Sequence, residues 1–116
     1  MARLMRRGEI RYADVGGGFG CRPVLIVTAT ETITVLNAVT CAPITTSVRG
    51  IPTRVPLGRP EGMRQKSEAA CEALMTLSKS DIDSAPLGAL DEARFFELDR
   101  AIARALDIRR ANLPTW

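Results

Sequence analysis

Histidine is absent from the sequence, and aromatic residues are scarce, with one tryptophan, one tyrosine and three phenylalanines among 116 residues. Without histidine, this chain cannot use imidazole as a general base, which excludes hydrolases of the Ser-His-Asp and Cys-His types. The scarcity of aromatic residues also limits the platforms on which an unpaired nucleobase could stack. Tyr12 and Phe19 are the early candidates for such a platform.

Cysteine is scarce as well, since Cys21, Cys41 and Cys71 stand far apart and no Cys-x-x-Cys motif occurs. A structural zinc site needs four Cys or His ligands at short spacings, so we expect no metal site and no cofactor. We interpret the three cysteines as reduced thiols in the core or near the surface.

Long apolar runs are also missing, because the longest, residues 24–27, is far too short to span a bilayer. The basic N-terminal segment 1–7 lacks the apolar stretch of a signal peptide, so we expect a cytoplasmic protein with no membrane partner. The length fits one domain over residues 1–116.

Positive charge is concentrated in the first half of the chain. Residues 1–66 hold ten Lys and Arg against four Asp and Glu, a net charge of +6. Residues 67–116 hold six against nine, a net charge of −3. Nine of the ten early bases are arginine, whose planar guanidinium suits bidentate contact with phosphate. A nucleic acid or an acidic protein is therefore the expected partner.

Apolar, β-branched runs predict a mainly β domain. We expect strands over 9–15, 24–28, 34–44 and around Val55, the last at a sheet edge because prolines flank it. Between the first two strands, the Gly-Gly-Gly-Phe-Gly run of residues 16–20 should form a flexible hairpin loop or a mobile flap over a binding groove.

The last third of the chain predicts a helix. Asp91 should N-cap a helix to about Leu106, with an apolar stripe at Phe95, Leu98, Ile102 and Leu106. Before it we expect a polar turn over 78–83 and a short extended segment at 86–88, and after it a frayed or partner-binding tail over 109–116.

Residues 67–77 carry conflicting signals. Their Ala, Glu, Leu and Met favour a helix that Ser67 could cap. Their alternation also fits a strand with Glu68 and Glu72 on its polar face.

A cluster of hydroxyl and guanidinium groups follows the third predicted strand. Thr45, Thr46 and Ser47 end it, and Arg49 precedes a Gly-Ile-Pro turn. At the rim of a sheet such groups can hold a phosphate, although a Ser/Thr-rich β-turn is the alternative. Arg22 favours the phosphate site, because it stands where a loop becomes a rigid strand and its side chain can be aimed.

Five short motifs occur in an order and at spacings that resemble one known family. They are Arg7-Gly8-Glu9-Ile10, Arg22-Pro23-Val24-Leu25, Ala42-Pro43-Ile44-Thr45-Thr46, Gly50-Ile51-Pro52-Thr53-Arg54-Val55 and Leu87-Gly88-Ala89-Leu90-Asp91. From about residue 6 to 108 the chain resembles the MazF/PemK-type mRNA interferases, the toxins of bacterial toxin–antitoxin pairs. The resemblance implies an α+β fold, an SH3-like β-barrel with a C-terminal helix of the MazF/CcdB type, and a homodimer. It also implies a strand over 67–77, which we adopt.

The resemblance further implies an endoribonuclease that cuts single-stranded mRNA at short sequences. In this family the Arg of the Arg-Pro-Val motif and the first Thr of the Pro-x-Thr-Thr motif are catalytic, and these are Arg22 and Thr45 here. The expected RNA-binding residues are Gly18, Phe19, Thr46, Ser47, Arg49 and Arg54.

The expected chemistry needs neither histidine nor metal. The RNA's own 2′-OH would attack the adjacent phosphorus, leaving a 2′,3′-cyclic phosphate and a 5′-OH, while the protein splays the strand and stabilises charge. Glu72 could accept the 2′-OH proton only if the fold turned it inward; otherwise it is a solvated carboxylate.

A cognate antitoxin is the second implied partner. We expect it to be acidic and partly disordered, and to compete with RNA for a basic groove lined by Arg22, Arg49, Arg54 and Arg11.

Two departures from the family pattern keep other functions open. Residues 18–20 replace a usual Ser-Glu-Gln cluster, and residues 72–75 replace a usual Glu/Asp-Gln-Ile/Val-Arg/Lys stretch. Both remove polar groups expected near the phosphate or the bases. The alternatives are a non-catalytic module that binds RNA or protein, and a gyrase poison of the CcdB type.

Overall fold

The computed structural model describes residues 4–114, so the ends of the basic N-terminal segment and of the expected C-terminal tail lie outside the described residues. The strands are β1 (Glu9–Asp14), β2 (Cys21–Ile26), β3 (Ala38–Thr45), β4 (Arg54–Leu57), β5 (Ser67–Ala70), β6 (Met75–Ser78) and β7 (Gly88–Ala89). The α-helices are α1 (Thr30–Ile33) and α2 (Phe95–Leu106). Single 3-10 turns lie at Arg59–Glu61, Cys71–Ala73, Lys79–Asp81, Glu92–Arg94 and Arg110–Asn112.

The strands form one antiparallel sheet, curved into a half-barrel, in the order β4-β5-β3-β2-β1-β7. Strand β3 is its centre, because it pairs with β2 along one edge and with β6 and then β5 along the other. The mainly β fold with a C-terminal helix is therefore confirmed. The last residues of β3 lie where the two parts of the sheet meet.

Two apolar clusters pack on opposite faces of this sheet. The larger lies under α2, where Leu98 and Ala101 pack against strand residues such as Ile10 and Leu25. Burying a leucine side chain stabilises the fold by about 1.5–3 kcal/mol, so the α2 contact contributes substantially. The smaller cluster lies on the other face, where Ile33 of α1 packs with residues including Val24, Ile26, Val39 and Cys41.

The strand expected over 67–77 is the main correction. β5 ends at Ala70, a 3-10 turn follows at Cys71–Ala73, and β6 begins at Met75. Ile44 lies opposite Ala69, but Cys41 lies opposite Met75, so the turn inserts three residues into what would otherwise be one register. The break lets the chain pair with both ends of the curved β3.

Other predicted elements agree more closely. The Asp91 carboxylate accepts the Ala93 N–H at 3.0 Å, as an N-cap should, although the first turn is 3-10. The predicted stripe of α2 ends early, because Leu106 is exposed. Strand β3 starts at Ala38 rather than Thr34, because the chain first forms α1 and a turn.

The cysteines are free thiols, as predicted. Burial raises the pKa of Cys41 to about 12 and that of Cys71 to about 11, so both stay protonated and unreactive. Cys21 is exposed at the start of β2. Between residues 4 and 114, neither helix is long and apolar enough to cross a membrane.

A candidate nucleic-acid interface where β2 begins and β3 ends

Arg22 and Thr45 lie at the same end of one strand pair. In the antiparallel register of β2 and β3, Val24 lies opposite Pro43. Arg22 precedes Val24 by two residues in β2, and Thr45 follows Pro43 by two residues in β3. Alternate residues of a strand share a face of the sheet, so both side chains project from one face at the rim. Arg22 is exposed and Thr45 is half-buried.

The polar atoms of this pair are held in place and remain able to donate. Arg22 donates from Nε to the Phe19 carbonyl at 3.2 Å, which fixes the side chain while the rest of the exposed guanidinium faces solvent. Thr45 Oγ1 accepts the Ser47 N–H at 3.0 Å. A hydroxyl that accepts in this way keeps its own hydrogen, so Thr45 can still donate to a phosphate oxygen.

Residues 16–20 form a hairpin loop between β1 and β2. The Val15 N–H donates to the Gly20 carbonyl at 3.3 Å and closes the loop. Inside the loop, the Phe19 N–H donates to the Gly16 carbonyl at 3.1 Å. Gly18, with φ of 79°, lies in the left-handed region that glycine adopts readily. This conformation presents the Phe19 ring to solvent with 68% of its surface exposed.

The segment after β3 holds three more of the predicted residues on the surface. Thr46, Ser47 and Arg49 are all exposed. The Arg49 guanidinium makes no ion pair with any residue between 4 and 114. These groups can therefore meet an anionic ligand without breaking an internal contact.

Arg54 was predicted to bind RNA, but its guanidinium is occupied. Its side chain is 8% exposed, with Nη1 on Glu68 at 3.0 Å and Nε on Glu72 at 2.7 Å. Nη1 also donates to the Ser47 carbonyl at 3.3 Å. The structure thus gives Arg54 a structural position below the rim rather than a free phosphate contact.

The prediction that Arg11 lines the same groove is wrong. Arg11 is 1% exposed, and its guanidinium donates to the Glu9 carboxylate at 2.8 Å and to the Asp83 carbonyl at 2.7 Å. The Arg11 side chain points from β1 into the protein, where the Glu9 carboxylate compensates its charge.

Glu68 is the residue of this region whose role the sequence did not reveal. It is 2% exposed and lies opposite Thr45 in the pairing of β3 with β5. Burial raises the pKa of Glu68, but the N–H groups of Arg49 and Gly50 and the Arg54 guanidinium outweigh burial and hold the pKa below its usual value. The carboxylate is therefore ionised. The alternation of polar and apolar residues in the sequence placed Glu68 on the polar face of a strand. That this face is buried depends on the curvature of the sheet, which the alternation does not reveal.

Glu72, the candidate general base, is engaged as well. Its carboxylate accepts from Thr53 Oγ1 at 2.7 Å and from Arg54 Nε at 2.7 Å. Burial raises the pKa of Glu72, but these bonds to Thr53 and Arg54 outweigh it and lower the pKa. A carboxylate with a lowered pKa and both oxygens bonded is poorly suited to accept a proton.

A cleft opens beside the rim on the other face of the sheet. It has a volume of about 280 Å³, and its lining includes Tyr12, Pro23, Thr46, Arg64 and Gln65. Pro23 and Thr46 directly follow Arg22 and Thr45, so the cleft adjoins the pair. Across residues 4–114, no group of three His, Cys, Asp or Glu side chains could hold a metal ion.

Comparison of the sequence with known proteins finds similar toxins and endoribonucleases. A family model for PemK-like, MazF-like toxins of type II toxin–antitoxin systems matches residues 6–106. Endoribonuclease MazF3 of Mycobacterium tuberculosis is 38% identical over 87 residues, which cover 75% of this chain and 84% of MazF3.

Solved structures show the same fold. The Mycobacterium tuberculosis toxin MazF-mt6 matches with a TM-score of 0.80 and 35% identity over 87% of this chain and 98% of that chain. A mycobacterial endoribonuclease in complex with its cognate antitoxin matches with a TM-score of 0.78 and 27% identity over 90% of this chain and 97% of that chain.

Proposed function

The chain belongs to the family of PemK-like, MazF-like toxins of type II toxin–antitoxin systems, and on that premise we propose that it cuts single-stranded mRNA at short sequences. As a MazF-type toxin it is an endoribonuclease. The observation that carries the proposal is the placement of Arg22 and Thr45 on one face at an accessible rim. A fixed guanidinium beside a free hydroxyl donor suits the charge that develops on a phosphate under attack.

The reaction we assign to this site is an intramolecular transesterification. The 2′-oxygen forms a bond to the adjacent phosphorus and loses its proton, while the bond from phosphorus to the 5′-oxygen breaks and that oxygen gains a proton. The products are a 2′,3′-cyclic phosphate and a 5′-OH. Arg22 would stabilise the negative charge of the pentacoordinate phosphorus, and Thr45 would donate to a non-bridging oxygen or orient the nucleophile.

The surrounding surface supports a single strand as the substrate. The exposed Phe19 ring can stack on an unpaired base, Gly18 lets the strand approach the backbone, and Thr46, Ser47 and Arg49 can contact phosphates. The cleft at Tyr12 and Gln65 lies within reach of a neighbouring base. Side chains can read bases in this way only when the strand is unstacked, because the major groove of an RNA duplex is narrow and deep.

We also propose a cognate antitoxin and a homodimer. An acidic, partly disordered antitoxin would cover the exposed Arg22 and Arg49, so that it and RNA exclude each other. For the dimer, an apolar groove along α2, bordered by Phe96, Ile108 and Leu113, offers a surface that a second copy could bury. Antitoxin and mRNA would both meet the toxin in the cytoplasm.

Cleavage in the presence of EDTA tests the proposal. Purified protein is incubated with single-stranded RNA, and the products are tested for direct labelling by polynucleotide kinase, which requires a 5′-OH. Metal-independent cuts with 5′-OH ends are expected. Intact RNA that stays bound would indicate a binding module, and intact RNA with loss of gyrase supercoiling would indicate a gyrase poison; either would overturn the nuclease proposal.

A further inference from the structure

We propose that Glu68 is a positioning residue, an internal anion that holds the segment from Thr45 to Gly50 in the conformation in which it meets RNA. This inference rests on the proposed function, since it assigns a role in the same site. Glu68 would touch no substrate atom. It would act through the backbone of the segment, here called the 45–50 segment.

Three donors, two from the backbone and one from a side chain, converge on this carboxylate. Glu68 Oε1 accepts the Arg49 N–H at 2.9 Å and Arg54 Nη1 at 3.0 Å. Glu68 Oε2 accepts the Gly50 N–H at 3.0 Å. Both oxygens are therefore used, and both backbone donors belong to the 45–50 segment.

The backbone at this point has the form of an anion site. Two consecutive N–H groups, from Arg49 and Gly50, point to one place, and Gly50 has a φ of 63° in the left-handed region. Consecutive N–H groups in such a turn make a concavity that binds anions. With the Arg54 guanidinium added, the concavity would attract an external phosphate or carboxylate if Glu68 did not fill it.

The contacts extend along the 45–50 segment toward the catalytic pair. Thr45 lies opposite Glu68 in the strand pairing, and Arg54, while bound to Glu68, also donates to the Ser47 carbonyl at 3.3 Å. Ser47 in turn donates its N–H to Thr45 Oγ1 at 3.0 Å. The backbone is thus held from below, while the side chains of Thr46, Ser47 and Arg49 stay exposed to bind substrate.

The alternative that Glu68 itself accepts the 2′-OH proton fits the geometry poorly. A general base must lie within hydrogen-bond reach of the 2′-OH, but Glu68 is 2% exposed and three donors already bind its carboxylate. Holding the segment is the role that its bonds support.

Chemical rescue tests the inference. In Glu68→Ala, the three donors lose their acceptor and a cavity opens that formate can fill. We expect kcat to fall by about 100-fold, because a displacement of about 1 Å in a positioning segment can cost this much. Formate at millimolar concentration should restore kcat by about tenfold or more, with a smaller change in KM. Loss of kcat that formate does not restore would overturn the proposal.

Two further variants control for loss of folding. Glu68→Gln keeps the volume and one acceptor oxygen, so it should lose less activity and gain nothing from formate. Glu61→Ala removes another buried carboxylate, one that pairs with Arg94 at 3.2 Å and accepts the Gly58 N–H at 2.6 Å away from the 45–50 segment. It should cost stability without a formate-dependent kcat. Equal rescue in both alanine variants would contradict the assignment.

A readout without RNA separates this inference from the proposed function. Formate should shift the amide resonances of Arg49 and Gly50 in Glu68→Ala and leave those of Glu61→Ala unchanged. Unshifted amides would overturn the positioning role even if the wild type cuts RNA. If the wild type does not cut RNA but the amides shift, the nuclease proposal fails while the anion site stands.

Discussion

Arg54 Nη1 lies 3.0 Å from Glu68 Oε1, and both side chains are less than a tenth exposed. The pair connects β4 to β5 directly beneath the 45–50 segment. Although Arg54 belongs to the basic half of the chain, its charge is matched internally by Glu68 and Glu72. The charge asymmetry of the sequence therefore overstates the positive charge available to RNA.

Removal of the Arg54 guanidinium should destabilise the fold. Arg54→Ala would leave Glu68 buried without its partner, and breaking a buried pair in this way costs about 3–5 kcal/mol. Urea unfolding of Arg54→Ala and Arg54→Lys would measure the loss, which should be smaller for lysine because it keeps the charge. A stability equal to wild type in Arg54→Ala would show that the pair contributes nothing.

Arg11 provides a test of the corrected groove. Arg11→Ala should lower the free energy of unfolding by about 3–5 kcal/mol, since it leaves Glu9 buried and uncompensated. Its affinity for single-stranded RNA, measured on folded protein, should match wild type. Arg49→Ala should behave in the opposite way, with weaker RNA binding and nearly unchanged stability. Weakened RNA binding in Arg11→Ala at full folding would restore Arg11 to the groove.

Stability should depend on pH through Glu68. Its folded pKa is lowered from the ordinary 4.5, so its stabilising contribution is complete above that value and disappears as the pH falls through the lowered folded pKa. Unfolding of wild type and Glu68→Gln at neutral pH and at about pH 3 would measure this. The stability difference between them should shrink at acid pH, and a constant difference would argue against an ionised Glu68.

The sequence revealed the order of the elements and the ends of the strands that carry the site. Arg22, Thr45, Thr46, Ser47 and Arg49 could be named as candidates because each follows or opens a strand with a strong apolar pattern, and their roles stay predictions. The roles of Arg54 and Glu68 could not be found in this way. In the sequence, Arg54 and Glu68 each lie on the polar side of an alternating strand pattern. Whether that side is exposed to solvent or buried in the protein depends on how the sheet curves.

The break at Cys71–Ala73 escaped prediction for the same reason. Nothing local to this segment marks a turn, since it contains neither glycine nor proline. The turn forms because β5 and β6 pair with different ends of β3, a long-range requirement that local propensity does not encode.

The exposed Phe19 ring should contribute to RNA affinity. Stacking on one base is worth about 1–3 kcal/mol, so Phe19→Ala should weaken binding of an uncleavable single strand, while Phe19→Tyr should preserve it. Fluorescence anisotropy with labelled RNA measures both. The same sequence within a hairpin stem should bind poorly to all three proteins. Equal affinity for stem and single strand would contradict the stacking role.

If Arg22 and Thr45 act together on one phosphate, the loss of either should slow the single-turnover cleavage of an unstructured RNA in EDTA. Arg22→Ala and Thr45→Ala should each lower the rate by about 10²–10³-fold, as expected for the loss of a charge-stabilising donor. The double variant should be little slower than either, because residues that act as a unit are not additive. The exposed Arg59→Ala, with the same change in charge, should cut at the wild-type rate. Wild-type rates in folded Arg22→Ala and Thr45→Ala would show that neither side chain acts on the phosphate.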